Sequence, residues 1–210
     1  MADSPRTAPG PREAALVARA ALAAAPLPGG LRVTAVDGRA GAGKTTLAAR
    51  LSALLPGAAT VHMDDLYPGW DGLRAGVDLL VNGVLGPLAL GLPPRARVWD
   101  WVRGAPGGRL ALPRTDHLIV EGVGCGARAA RANVTLLVWV EAPPALRRAR
   151  ALARDPGFAA HWERWARQEE ELCAGEGTAR AARIVLGPGP RPRRGAPGPG
   201  KAVPDPWGAP

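Results

Sequence analysis

The chain has 210 residues, 47% of them hydrophobic, enough for one α/β domain with a substantial core and too few for two ordinary domains plus tails. Its net charge of +9 is carried by arginines spread along the chain, with small groups at Arg147, Arg148, Arg150 and Arg154 and at Arg191, Arg193 and Arg194 and no interleaved aromatics, so nucleic acid is not the expected partner. Cys125 and Cys173 have neither C-x-x-C nor Cys/His ligand spacing, no apolar run is long enough to span a membrane, and Arg19 interrupts the one apolar N-terminal stretch; the expectation is therefore no disulfide framework, zinc site, membrane span or signal peptide, and a cytoplasmic location.

Residues 1–11 are small, polar and proline-containing and are expected to be disordered. An alanine-rich helix is predicted over residues 12–25, with Leu16, Val17, Ala20 and Leu22 able to share a face; Pro26, Pro28, Gly29 and Gly30 end it. Residues 31–37 read as a short strand and residues 46–55 as a helix.

Between them lies Gly38-Arg39-Ala40-Gly41-Ala42-Gly43-Lys44-Thr45, a full match to the G-x-x-x-x-G-K-[ST] phosphate-binding loop of P-loop NTPases, the Walker A motif, in the strand, loop and helix order it requires. The glycines allow positive φ and let backbone N–H groups meet phosphate oxygens, and the free N–H groups at the helix start, from Thr46 onward, add to the cradle. Lys44 is expected on the β and γ phosphates and Thr45 on a Mg²⁺ ion. Glycine is common here, but the chain has only two lysines, one of them in the motif, and an accidental match is on the order of one in several hundred.

Further along, residues 58–63 form a strand-like run ending in Asp64 and Asp65, and residues 72–85 have helical spacing in Leu73, Val77, Leu80, Val81 and Val84. Residues 95–112 suggest a hairpin turning at residues 104–108. The unalternating apolar runs 117–120 and 134–140 suit strands buried on both faces, each followed by a glutamate, Glu121 and Glu141. Helices over 144–154, 158–172 and 177–182 and a last strand over 183–186 complete the pattern. The predicted fold is a three-layer α/β P-loop NTPase fold with a mainly parallel sheet flanked by helices, spanning residues 12–186. Residues 187–210 form a Pro/Gly/Arg-rich tail too poor in apolar residues to fold.

Three segments together resemble the uridine kinase family of P-loop nucleoside kinases. They are the loop itself; Val61-His62-Met63-Asp64-Asp65-Leu66-Tyr67, similar to the family's Asp-x-Phe-Tyr segment; and Val98-Trp99-Asp100-Trp101-Val102, similar to its Val-Tyr-Asp-Phe-Val strand, followed by the Glu121-Gly122 pair. The resemblance covers about residues 31–186. It implies Asp64 as the base acting on the acceptor hydroxyl and Tyr67 as the aromatic beside it, and it sets Arg147, Arg150, Arg154 and Asp155 at the spacing of a helix and lid that supply arginines to the phosphates. The histidine that the family carries after its Tyr-Asp-Phe strand is replaced here by Arg103-Gly104, and the stretch from Tyr67 to Val98 is short for a full nucleoside-binding hairpin.

The residues themselves leave some choices open. Asp64 follows a short strand, where α/β sheets place ligands, and the adjacent Asp65 is the alternative base or a Mg²⁺ ligand through water. Glu121 ends a buried strand, as a second Mg²⁺ acid would. Asp100 could bind an acceptor hydroxyl or face solvent, whereas Trp99 and Trp101, alternating with it, would face the opposite side, where core packing is expected for at least one of them and stacking on an aromatic substrate is the alternative. Trp162 and Trp165 read as a buried stripe and His161 as structural. Arg150 and Arg154 share a helix face that either meets phosphate or is a solvated basic face, pairing with Glu169 to Glu171 or with nothing. His62 and His117 have no Ser or Cys partner, which removes a hydrolase triad.

The expected function is ATP- and Mg²⁺-dependent transfer of a phosphoryl group to a small hydroxylated acceptor, with no membrane partner and the oligomeric state open. Two alternatives remain: a nucleotide-dependent ATPase switch, and a nucleic-acid-associated ATPase. The absence of Asn-Lys-x-Asp weighs against GTP.

Overall fold

The computed structural model describes residues 8–187. The expected N-terminal disorder lies outside the described residues up to residue 7, and the tail from residue 188 lies outside them as well. In chain order the elements are α1 (Pro11–Ala23), β1 (Arg32–Asp37), α2 (Lys44–Leu54), β2 (Ala59–His62), α3 (Leu73–Leu80), α4 (Gly86–Ala89), β3 (Arg97–Asp100), β4 (Ala105–Arg109), β5 (His117–Glu121), β6 (Leu136–Val140), α5 (Pro144–Arg154), α6 (Trp162–Glu176), α7 (Thr178–Ala181) and β7 (Ile184–Leu186).

Five strands form one parallel sheet in the order β2-β5-β1-β6-β7, with Val36 opposite Glu121 on one side and Val138 on the other. Alternation along each strand divides the core in two. Val33 and Ala35 of β1, Leu118 and Val120 of β5 and Leu137 of β6 pack with α3, α5 and α6 on one face. On the other face, Val36, Ile119, Val138 and Val140 meet Ala14, Val17 and Ala21 of α1 and Leu47, Ala48 and Leu51 of α2. Both faces are covered, so these strands carry apolar residues at successive positions rather than an apolar/polar alternation. A three-layer α/β fold with a parallel central sheet results, as the sequence pattern predicts.

Helix boundaries follow local chemistry. Pro11 opens α1, whose Glu13 carboxylate accepts the Gly10 N–H (3.0 Å). Pro144 opens α5, and Gly177 ends α6 with φ 61°. Residues 72–85 are not one regular helix: α3 passes into a π-helical turn, Val81–Leu85.

The hairpin differs from its sequence reading. Most of residues 104–108, taken as the turn, falls in strand β4 (Ala105–Arg109), paired antiparallel to β3, and the reversal occurs earlier, through residues 101–104. A register irregularity lies between Arg97 and Trp99. Because Trp101 already belongs to the turn, period-two alternation does not reach it, and the two tryptophans do not share a side. Trp101 lines the main cleft, whereas Trp99 lines a separate cavity of about 680 Å³.

Candidate active site

The carboxyl ends of β1, β2 and β5 present Asp37, His62 and Glu121 at one edge of the sheet, where parallel α/β folds offer a crevice. From β1 the chain enters the glycine-rich loop. Gly38 has φ 147°, and a Cβ there would lie 2.2 Å from the Val140 carbonyl oxygen; Gly41 has φ 75°, and its Cβ would lie 2.0 Å from that of Arg147. The loop therefore threads between the end of β6 and α5 with no room for a side chain at either point. Gly43 caps α2, whose first-turn N–H groups open onto the cleft. The Lys44 ammonium donates to the Arg39 carbonyl (3.1 Å), which also accepts the Ala42 N–H (3.2 Å).

Beside the loop, the Thr45 hydroxyl donates to Glu121 Oε1 (3.1 Å), and His62 Nδ1 lies 2.7 Å from the same oxygen. Burial alone would raise the Glu121 pKa, but the His62 hydrogen bond, the charges of Lys44 and His62 and the Thr45 hydroxyl together leave it below the usual glutamate value. The His62 pKa is raised, chiefly by its bond to Glu121. Asp64 follows β2 in a short 3₁₀ turn, Met63–Asp65. It is open to the cleft yet walled by protein, and this desolvation raises its pKa; Lys44 and Arg154 oppose the shift while Glu121 adds to it.

A hydroxyl and an ionised carboxylate in contact are suitable groups for a hard divalent cation. Among the described residues no group of three or more His, Cys, Asp and Glu side chains could hold a metal by itself.

The cleft has a volume of about 1420 Å³ and continues from the loop into an aromatic wall. Trp70 stacks on His161 (centroids 4.3 Å apart, 15° between planes) and on Phe158 (5.1 Å, 18°), and meets Trp101 at 4.9 Å. Each such ring pair contributes about 0.5–1.5 kcal/mol beyond area burial. Three bonds fix the wall. Gln168 donates to the Trp70 carbonyl (2.8 Å), the Trp101 indole to the Asp64 carbonyl (2.8 Å), and the buried Tyr67 hydroxyl to the Val123 carbonyl (2.8 Å).

Of the residues anticipated from the sequence, Ala40, Gly41, Gly43, Lys44, Thr45, Thr46, Asp64, Tyr67, Glu121, Arg150 and Arg154 line this one cleft. Gly38, Arg39, Ala42, Asp65, Trp99 and Asp100 do not. Asp100 instead accepts the Val102 and Arg103 N–H groups (3.0 and 2.9 Å) and holds the hairpin turn. Glu169 pairs with Arg147 (3.9 Å) rather than with Arg150 or Arg154. His161, read as structural, is part of the cleft wall.

Sequence reasoning passed over Trp70, Phe158 and Asp37, and it set Arg147 among the phosphate arginines and Glu169 beside Arg150 and Arg154, whereas Arg147 and Glu169 pair with each other. Trp70 did carry a signal, as a tryptophan within the turn-forming run Pro68-Gly69-Trp70-Asp71-Gly72, where packing gives no reason for one. Asp37 is 1% exposed and accepts the N–H groups of Gly38 (2.6 Å), Gly124 (3.0 Å) and Gly126 (2.9 Å), tying the loop to the segment after β5. Burial raises its pKa, while those three bonds and Lys44 pull it down.

No family model and no curated protein matches the chain. Solved structures do. A possible uridine kinase from Bacillus stearothermophilus superposes with a TM-score of 0.61 at 19% identity, over 83% of this chain and 97% of that one. A candidate fructose transport system kinase from Silicibacter sp. TM1040 gives 0.53 at 24% identity, over 83% and 98%. At these identities the likeness is one of fold. Among the described residues no helix is long and apolar enough to cross a membrane.

Proposed function

We propose that this chain is an ATP- and Mg²⁺-dependent kinase acting on a hydroxyl of a small acceptor that carries a planar ring, a nucleoside being the first choice. The observation that carries the reading is that Lys44, the Thr45–Glu121 pair, Asp64, Arg150 and Arg154 line the same cleft as a wall of stacked rings. Phosphoryl transfer needs in-line placement, neutralisation of phosphate charge and a carboxylate at the attacking hydroxyl, and the cleft offers a group for each.

In this reading the loop N–H groups and Lys44 hold the β and γ phosphates, with Thr45 and Glu121 as the protein's ligands to Mg²⁺. Bound Mg²⁺ supplies neutralisation of charge on the β and γ phosphate oxygens. Asp65, adjoining Asp64 but outside the cleft, is left with at most a role through water. The acceptor oxygen forms its bond to the γ-phosphorus as the bond to the β–γ bridging oxygen breaks. Asp64 takes the hydroxyl proton, and ADP leaves with the bridging oxygen. Arg150 and Arg154 meet the negative charge on the transferring group. Trp70, Trp101, Phe158 and His161 orient the acceptor by stacking, which favours a planar ring over a sugar alone.

The test is incubation with Mg-ATP labelled on the γ-phosphate and a panel of nucleosides, fructose and other alcohols, with acceptor-dependent label transfer as the readout. Transfer to a nucleoside is expected. Lys44→Ala should abolish turnover with the fold intact, and Asp64→Asn should keep nucleotide binding while losing about 10²–10⁴-fold in rate. Unchanged transfer by Asp64→Asn would remove it as the base. Slow hydrolysis with no acceptor in the panel would favour a nucleotide-dependent switch.

A further inference from the structure

The buried face of α6 carries an acid among its rings. Trp162, Trp165, Glu169 and Leu172 are all buried, and Glu169 is 1% exposed. A buried carboxylate needs full hydrogen bonding to be tolerated, and here its partners come from two parts of the cleft. Oε1 accepts the Ala40 N–H (2.7 Å) from the phosphate loop and the Trp165 indole N–H (2.9 Å) from the aromatic wall. The Arg147 guanidinium, 3.9 Å from Oε2, donates to the Ala40 carbonyl (3.4 Å) and the Ala142 carbonyl (3.1 Å).

The Ala40 N–H and the Arg39 carbonyl belong to one trans peptide unit, so they point in opposite directions. Glu169 draws the N–H to one side. The carbonyl on the other side is the one that holds the Lys44 ammonium (3.1 Å) and the Ala42 N–H (3.2 Å). A continuous chain of bonds thus runs from the Trp165 indole through Glu169 and the 39–40 peptide to Lys44. Arg147 grips the next carbonyl, so Ala40 is held on both of its polar groups.

We propose that Glu169 is a positioning residue that couples the phosphate loop to the aromatic wall, fixing the 39–40 peptide that seats Lys44 and transmitting nucleotide binding on the loop to Trp165. A group whose work was only to fill the α6 core would not need the bond to the loop; an apolar side chain is commonly at least as good for stability as a buried ion pair. The inference rests on the loop being a nucleotide site. Its reciprocal consequence is that an acceptor packed against Trp165 alters nucleotide affinity by the same factor by which nucleotide alters acceptor affinity.

The experiment uses the full chain labelled with 5-fluorotryptophan, the Trp165 resonance being the ¹⁹F signal lost in Trp165→Phe, with Mg-ADP as the probe and calorimetry on the same samples. In the wild type the Trp165 resonance should shift saturably with the calorimetric Kd. In Glu169→Ala the shift should be lost and the Kd should rise about tenfold, whereas Glu169→Gln, which keeps an oxygen for the Ala40 N–H, should restore the response and bring the Kd within about threefold of wild type. Should Glu169→Ala fail to fold, Trp165→Phe, which removes the indole N–H from the chain of bonds, carries the test through the Kd, expected to change at least about threefold. Bound Mg-ADP with a silent wild-type Trp165 signal, an undiminished shift in Glu169→Ala, or an unchanged Kd in Trp165→Phe would overturn the coupling alone. A wild-type chain that binds no Mg-ADP would overturn the nucleotide reading and the coupling with it.

Discussion

Asp37 gives the sharpest quantitative test of how the cleft is held together. Its two oxygens accept three buried N–H groups, Gly38 and Gly124 on Oδ1 and Gly126 on Oδ2. Asp37→Ala leaves all three donors without their partner, at about 1–3 kcal/mol each. Against this stands relief from burying a carboxylate, which itself costs several kcal/mol. The net expectation is a loss of about 3–5 kcal/mol, or about 6–20 °C in Tm for a domain of this size. Asp37→Asn is milder. Its Oδ1 keeps Gly38 and Gly124, while Nδ2 faces the Gly126 donor, so one contact is lost at about 1–3 kcal/mol. Urea unfolding followed by circular dichroism gives both values, and Mg-ADP binding reports whether the loop keeps its shape. An Ala variant no less stable than the Asn variant, or both within about 0.5 kcal/mol of wild type, would refute the reasoning, because entering water would then satisfy the donors as well as the carboxylate does.

Three further outcomes are expected. Gly41→Ala forces a left-handed backbone onto a residue with a Cβ and sets that Cβ 2.0 Å from the Arg147 carbonyl oxygen; the two effects add to about 2–5 kcal/mol in thermal or urea unfolding. In the proposed reaction Asp64 must be deprotonated to act as base, and desolvation raises its pKa, so activity should be lost as pH falls through a value above the ordinary 3.8 of aspartate; Asp64→Glu or Arg154→Ala should move that acid limb of the kcat/KM profile while Asp64→Asn removes it. Trp70→Ala removes ring contacts to His161, Phe158 and Trp101 and should raise the acceptor KM about tenfold or more while leaving the Mg-ADP Kd within about twofold, as acceptor-dependent kinetics and Mg-ADP calorimetry would show.

The parts of this protein written in local sequence are those whose physics is local. The glycine and lysine pattern of residues 38–45 specifies a loop between a strand and a helix, because positive φ and free helix-start N–H groups are properties of a few adjacent residues. The apolar runs before Glu121 and Glu141 announce strands covered on both faces, and from their alternation with helices the parallel three-layer order follows. Asp64 and Glu121, which line the cleft, could be picked out because strand ends are marked in the sequence.

Tertiary structure decided what meets at long range. Glu169 reaches Ala40 across 129 positions and Asp37 reaches Gly126 across 89, and no periodicity in either segment signals those bonds. The hairpin turn fell three residues earlier than its Gly/Pro-rich stretch suggested, which sent Trp101 into the cleft, left Trp99 in a second cavity and made Asp100 a turn brace. The aromatic wall assembles from a turn, a hairpin and the stretch leading into α6, three segments adjacent only after folding. Local sequence determined the loop and the layers because backbone geometry and burial act over a few residues; the partners of each buried charge and ring were decided by packing, which acts between segments the chain keeps far apart.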